Sequence, residues 1–348
     1  MNPTDYRRSP LHGDDLVWVE KNCYVDVWIE TIHALGLEPL AMLPFVIGID
    51  FEGDQFTFYK PPHDELRALY GIDVQELTVW RPLIEHAVDH LAAGRMFSTE
   101  TDAWWLPDTA GTDYRSNHVK TTIVITAIDP ANEQLTYFHN TGLHQLSGED
   151  FRRTFRLDDP GRGESGGGSG GDSAGNTSGA GNDARGEHLP LYAELVRSDR
   201  IVKRDPTELR SIARARLAVH LTNIPAINPL RRFGKTFEQD LGKVLERGPD
   251  YYHAWAFATL RQLGSAFELA ALHLKWLGGD DESSIRAQHE RIAIDAFESI
   301  SVGTKTLLMK CARAAHTKRV FDAAPLIGAM TDAWDRGMLA LERAEPAR

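Results

Sequence analysis

Residues 118–140, HVKTTIVITAIDPANEQLTYFHN, decide the fold. Val119–Thr126 and Leu135–His139 are rich in β-branched and aromatic residues, which suit a pleated surface. The segment between them, AIDPANEQ, supplies the Asp-Pro and Asn of a turn, so the pattern predicts an antiparallel hairpin. Upstream, Met96–Thr99 reads as another strand and Trp80–Leu91 as a helix. Phe45–Ile49 and Gln55–Tyr59, on either side of EGD, read as two more strands. Residues 23–35, CYVDVWIETIHAL, place Tyr24, Trp28, Ile32 and Leu35 at helical spacing, with Gly36 just past the end. Strands and helices mixed in this way make the N-terminal part α+β.

Downstream the texture changes twice. In residues 161–186, GRGESGGGSGGDSAGNTSGAGNDARG, 15 of 26 positions are Gly or Ser and no large apolar residue occurs, the composition of a flexible tether. Beyond it the pattern becomes long and amphipathic. Asp205-Pro206-Thr207-Glu208 and Asn228-Pro229 carry the cap and first-turn proline of helix starts. Leu230, Phe233, Phe237, Leu241, Val244 and Leu245 form one apolar stripe. Further helices fit Tyr251–Leu277, Ser284–Thr317 and Ala324–Ala344, giving a bundle of about five. The expected organisation is therefore an α+β domain over 1–160, a linker over 161–186 and an all-α helical bundle over 187–348.

The 348 residues suffice for about two domains, and 42% apolar with 25% charged residues is an ordinary globular composition. Fifty acidic against 38 basic residues give a net charge of −12, which disfavours nucleic acid and anionic membranes as partners. No run approaches the ~18 apolar residues of a membrane span and the start lacks a signal-peptide core, so a cytoplasmic protein is expected. The histidines show no metal-ligand spacing, and Cys23 and Cys311 are too far apart in sequence for a CxxC site; no metal is expected.

Two readings of Cys23 stand: a packed core thiol, or a thiolate favoured by the N–H groups and positive dipole end of the helix it opens. A partner base decides between them. His118 opens a strand after a polar stretch, and the next strand ends in His139 and Asn140, either of which can hold the imidazole in one tautomer. Asp102, Trp104 and Trp105 precede the His118 strand, where they line a cleft or pack as core. Arg231, Arg232 and Lys235 form a basic cluster at a helix start: a solvated face, or a seat for a phosphate or an acidic helix.

Taken together, NCYVDVWIE, GRMFSTETDAWWLPD, NHVKTTIVITAID and LTYFHNTGLHQLSGEDF resemble the bacterial family named domain of unknown function 1839, as do the helices NPLRRFGKTFEQDL and HAWAFATLRQLGSAFELA. More remotely, the chain up to about Phe151 is similar to the N-terminal domain of the butirosin biosynthesis protein H family and to bacteriocin-processing cysteine peptidases. The remoter resemblance implies a papain-like N-terminal domain with Cys23 as nucleophile, His118 as general base and Asn140 as orienting residue. It also implies an acyltransferase that takes an acyl group from the phosphopantetheine arm of a carrier protein and passes it to an amine or hydroxyl. The closer one suggests a link to amino acid:carrier-protein ligases.

Two positions depart from the peptidases. Val17 stands where they keep an oxyanion-hole glutamine, which leaves the second donor to a residue such as Asn22, and Tyr24 replaces the glycine after the cysteine. The expected substrate-binding set is thus Asn22, Tyr24, Asp102, Trp104 and His139, with no bound cofactor and a carrier protein as partner on Arg231, Arg232 and Lys235. The alternatives are a cysteine peptidase or amidase with the same triad, and a non-catalytic module that binds a carrier protein or ligase.

Overall fold

In the computed structural model, which describes residues 2–158, 191–279 and 283–345, the hairpin predicted around residue 130 is formed. The N-terminal half contains α1 (Cys23–Ala34), α2 (His63–Tyr70), β1 (Asp73–Glu76), α3 (Leu83–Ala92), β2 (Met96–Asp102), β3 (Lys120–Asp129), β4 (Gln134–His139), β5 (Gly142–Ser147) and α4 (Glu149–Thr154). There follow β6 (Ala193–Arg197), α5 (Pro206–Leu221), α6 (Pro229–Arg247), α7 (Pro249–Ala256), α8 (Gln262–Gly278), α9 (Ile285–Thr317) and α10 (Ala324–Ala344). The fold class is α+β followed by an all-helical region. No helix of the described residues is long and apolar enough to cross a membrane.

Contacts divide the chain into a sheet unit (Met1–Ser9, Asp26–Leu35, Tyr70–Val202) and a helical unit (Pro10–Val25, Gly36–Leu69, Lys203–Arg348). These boundaries differ from the expected 1–160 and 187–348, and the linker expected at 161–186 lies outside the described residues. The difference has a plain cause. Strand β6, which follows the Gly/Ser run, pairs antiparallel with both β1 and β2, so it belongs to the sheet. The order is β1-β6-β2-β3-β4-β5, antiparallel throughout.

Both faces of the sheet are covered, which is why β3 is buried continuously from Thr121 to Ile125. Ile123 and Ile125 join Leu83 and Ala87 of α3 and Phe151 and Phe155 at α4 on one face. Val124, Phe138 and Leu143 meet Val27 of α1 on the other. Alternate residues of one strand thus enter different cores, as the two-residue period requires.

In the helical unit, α8 is mostly apolar and buried along nearly its whole length, with Lys275 at its exposed end. Its Gly264 admits the Trp18 ring, to which an added Cβ would stand 2.3 Å away. Glu268 accepts from the Val17 and Trp18 amides at 2.8 and 3.1 Å, and the Trp18 indole donates to Ser301 at 3.1 Å. Buried Lys21 donates to the carbonyls of Leu11, Trp18 and Val19. These bonds tie down the segment that runs into Cys23. The run expected as the single helix Tyr251–Leu277 is α7, a π-helical turn at Phe257–Arg261 and α8.

Two strand expectations fail. Residues Pro44–Gly48 are a 3-10 helix, since Pro44 presets the first helical turn. Around 55–59 the only pairing is the isolated bridge Phe51–Phe56.

Candidate active site

The end of β2 and the entry to β3 are adjacent in the ladder, with Asp102 opposite Lys120 and the Ala103 amide donating to the Val119 carbonyl at 2.8 Å. This register sets Asp102 beside His118. One carboxylate oxygen of Asp102 accepts from the Trp104 amide at 3.0 Å and so caps the short turn Ala103–Trp105. The other lies 2.6 Å from Nδ1 of His118. A carboxylate at that nitrogen requires Nδ1 to carry a proton, which leaves Nε2 of the neutral ring as acceptor. Trp104 stacks flat on the imidazole, with centroids 4.4 Å apart and planes 7° apart, and the His118 side chain is still 65% exposed. An oriented imidazole with one open basic nitrogen is what general-base work needs.

The side chain at Nδ1 of His118 is Asp102, and Asn140, expected there, stands elsewhere. Asn140 occupies the tight turn between β4 and β5 in the left-handed region at φ 46°, which Asn tolerates better than most residues. His139 is likewise engaged elsewhere. It is 2% exposed, its Nδ1 lies 2.5 Å from Asp108 and its Nε2 lies 2.8 Å from the Thr121 hydroxyl, so neither nitrogen is left for substrate. The Tyr137 hydroxyl donates to the second oxygen of Asp108 at 2.5 Å. Burial pushes the Asp108 carboxyl up, yet the hydrogen bond and charge of His139, aided by His144 and Tyr137, hold it below its ordinary value. Burial raises Tyr137 and lowers His144. This cluster holds β3 and β4 to the preceding loop.

Trp105 does not share the role of Trp104. The Arg115 guanidinium lies 4.3 Å from its ring and bonds Asp150 at 2.6 Å, a packing arrangement.

Cys23, half-buried, is the first residue of α1 and belongs to the helical unit, whereas His118 and Asn140 belong to the sheet unit. Asn22 caps that helix: its Oδ1 accepts from the Val25 amide at 3.0 Å. Its Nδ2 donates to the Tyr59 carbonyl at 3.2 Å and to Gln262 at 3.3 Å, so both functions of the amide are engaged and Asn22 is no oxyanion donor. Gln262 is the neighbour that sequence reading missed; it lies 240 positions away, where no local pattern points to it. Tyr24 is buried, with its hydroxyl 2.9 Å from His63 Nε2 and Lys60 over its ring. Of the expected basic cluster, Arg231 pairs with Asp335 and Arg232 with Asp50, leaving Lys235 exposed. Among the described residues no group of His, Cys, Asp and Glu is arranged to hold a metal ion.

Family models match both regions, the DUF1839 N-terminal domain over residues 7–166 and the DUF1839 C-terminal domain over residues 206–343. The chain belongs to the DUF1839 family. No curated protein matches it. In this DUF1839 protein the N-terminal match contains Cys23, Asp102 and His118, and the C-terminal match contains Gln262 and all of α9.

Proposed function

We propose that the protein is a cysteine-dependent acyltransferase, with a remotely papain-like N-terminal part, acting on carrier-protein thioesters in the cytoplasm. The observation that carries this reading is the Asp102–His118 pair, a locked and exposed base stacked on Trp104.

In the first step the Cys23 thiolate attacks the thioester carbonyl and the C–S bond to pantetheine breaks. The pantetheine sulfur leaves as a thiolate that takes the proton carried by the His118 imidazolium of the preceding turnover or one from water. The exchange of one thioester for another is nearly balanced, so cysteine suits a relay. In the second step the acceptor amine or hydroxyl attacks the acyl-cysteine while His118 Nε2 takes its proton, and the Cys23 sulfur departs as thiolate. Asp102 supports the imidazolium formed in that step. A helix N-terminus capped by Asn22 favours the thiolate form of its first residue, which supports the role of Cys23. The buried side chain of Tyr24, standing where the peptidases keep glycine, weighs against an extended peptide as substrate.

Intact-mass spectrometry after mixing with aminoacyl-loaded carrier protein tests the reading. Wild type gains the acyl mass, Cys23→Ala does not, and His118→Ala retains the adduct in the presence of an amine acceptor. Iodoacetamide adds a control, because Cys311 is fully buried with its thiol pushed up to about 12 by burial and stays unreactive at neutral pH. An unlabelled wild type whose Cys23 also resists iodoacetamide overturns the proposal. Peptide hydrolysis without any carrier replaces it with the peptidase alternative.

A further inference from the structure

Between Glu298 and Asp322 the sequence carries Lys305, Lys310, Arg313, Lys318 and Arg319 and no acidic residue, in a chain of net charge −12. This run forms the second half of α9 and the residues just after it. Val302, Lys305, Met309, Lys310 and Arg313, with Val17 beside them, line an open groove of about 580 Å³. Val302 and Met309 are 53% and 61% exposed, and seven residues apart they stand two turns from each other on one side of the helix. From Val302 to Arg313 the surface extends about 17 Å along the axis. Lys305 rests over the Trp18 ring, and among the described residues none of Lys305, Lys310 and Arg313 has a carboxylate within 4.0 Å. Lys305 lies in the field of Glu268 and Lys310 over the Phe321 ring, yet on so acidic a protein this run of cations beside exposed apolar side chains makes a local basic, partly apolar surface.

We propose that this face of α9 docks an acidic amphipathic helix of the carrier protein. The identity of that partner rests on the acyltransferase reading; the chemistry of the face does not. Two apolar anchors two turns apart match the spacing of a facing helix, and the cations around them fit its acidic flanks. The groove is shallow and open, so what selects a helix is the spacing of Val302 and Met309 and the cations around them. Val17 and Cys23 lie in the same unit and only six positions apart, so at most about 20 Å of chain separates the groove from the thiol. A flexible pantetheine arm spans a distance of that order.

Docking is measured with the full chain carrying Cys23→Ala and an apo acyl carrier protein, so that acyl chemistry plays no part. Fluorescence anisotropy is expected to show binding that weakens with added salt and falls about tenfold or more in Lys310→Glu/Arg313→Glu, two exposed sites whose change leaves the core intact. Adding Lys305→Glu weakens it further. Equal binding by parent and variant overturns the proposal, as does no binding at all. So does loss of binding in Arg231→Glu/Lys235→Glu with the α9 variant unaffected, which returns the partner to α6. Binding to phosphatidylglycerol vesicles in place of the carrier assigns the face to lipid and overturns it also. If docking holds while wild type gains no acyl mass, the acyltransferase reading fails alone and the α9 site stands as a binding module.

Discussion

Asp102 shows how one carboxylate does two jobs, and how its replacement separates chemistry from stability. In Asp102→Asn the amide still caps Ala103–Trp105 but no longer demands a proton on Nδ1, so the ring loses its fixed tautomer. Acyl transfer from Cys23 to an amine is expected to fall by about 10²-fold or more in single-turnover assays, with the melting temperature nearly unchanged, while Asn140→Ala stays close to wild type. Asp108→Asn has the opposite signature. Removing that buried charge leaves His139 and Tyr137 facing an amide and is expected to cost about 2–4 kcal/mol in urea unfolding at pH 7. Because the folded carboxyl titrates below its ordinary 3.8, the stability it contributes is present above that value and disappears as pH falls through the lower folded value. The gap between wild type and Asp108→Asn therefore narrows below about pH 4; a gap that stays constant to pH 2.5 would show that the charge of Asp108 is irrelevant. Cys23 at a helix start and His118 at a strand entry were legible from local pattern alone. The partner of His118 was not, since the β2–β3 register chooses it and that register is set by long-range pairing.

At the scale of elements, legibility followed local chemistry. Asp205, Asn228 and Ser284 cap their helices with their own side chains, and such signals need only neighbouring residues. Where an element depends on distant partners the pattern misled: Phe45–Ile49 is apolar enough for a strand, but Pro44 and the absence of a sheet neighbour turn it into a 3-10 turn. The π-helical turn at Phe257–Arg261 left no mark in the amphipathic pattern, although it precedes Gln262, whose side chain meets the Asn22 cap of α1. Helix α8 offers the sharpest test of packing. A methyl group at residue 264 meets the Trp18 ring at 2.3 Å, with neighbours buried on every side. Gly264→Ala is expected to cost about 1–3 kcal/mol through overpacking, even though alanine is the better helix former. It is also expected to speed iodoacetamide labelling of Cys23, because Trp18 anchors the segment leading to it. A variant as stable as wild type, with unchanged labelling, would mean that the Trp18 contact does not constrain the segment.

At the scale of the whole molecule, the composition break at 161–186 is not where the units divide. The sheet unit takes β6 from beyond that run, and the helical unit takes Pro10–Val25 and Gly36–Leu69 from before it. Composition reports where a chain cannot build a core; it does not report which core a later strand joins. Each contact unit draws on residues from both sides of that run, and this has a measurable consequence. A fragment of residues 1–160 lacks β6, so β1 loses its only described ladder partner and β2 presents an open edge. Its own Pro10–Val25 and Gly36–Leu69 are also left without α8, whose Gly264, Glu268 and Ser265 meet Trp18, Val17 and Tyr59. Expressed alone, 1–160 is expected to aggregate or to melt without cooperativity. Coexpressed with 187–348, or released by a single protease cut engineered into residues 161–186 of the folded chain, it is expected to coelute with its partner in gel filtration. That complex should melt in one transition within a few degrees of the intact protein, since the cut breaks a single peptide bond while each unit keeps strands or helices from both pieces. A cooperative melt from 1–160 by itself would show that the units are separable at the Gly/Ser run after all.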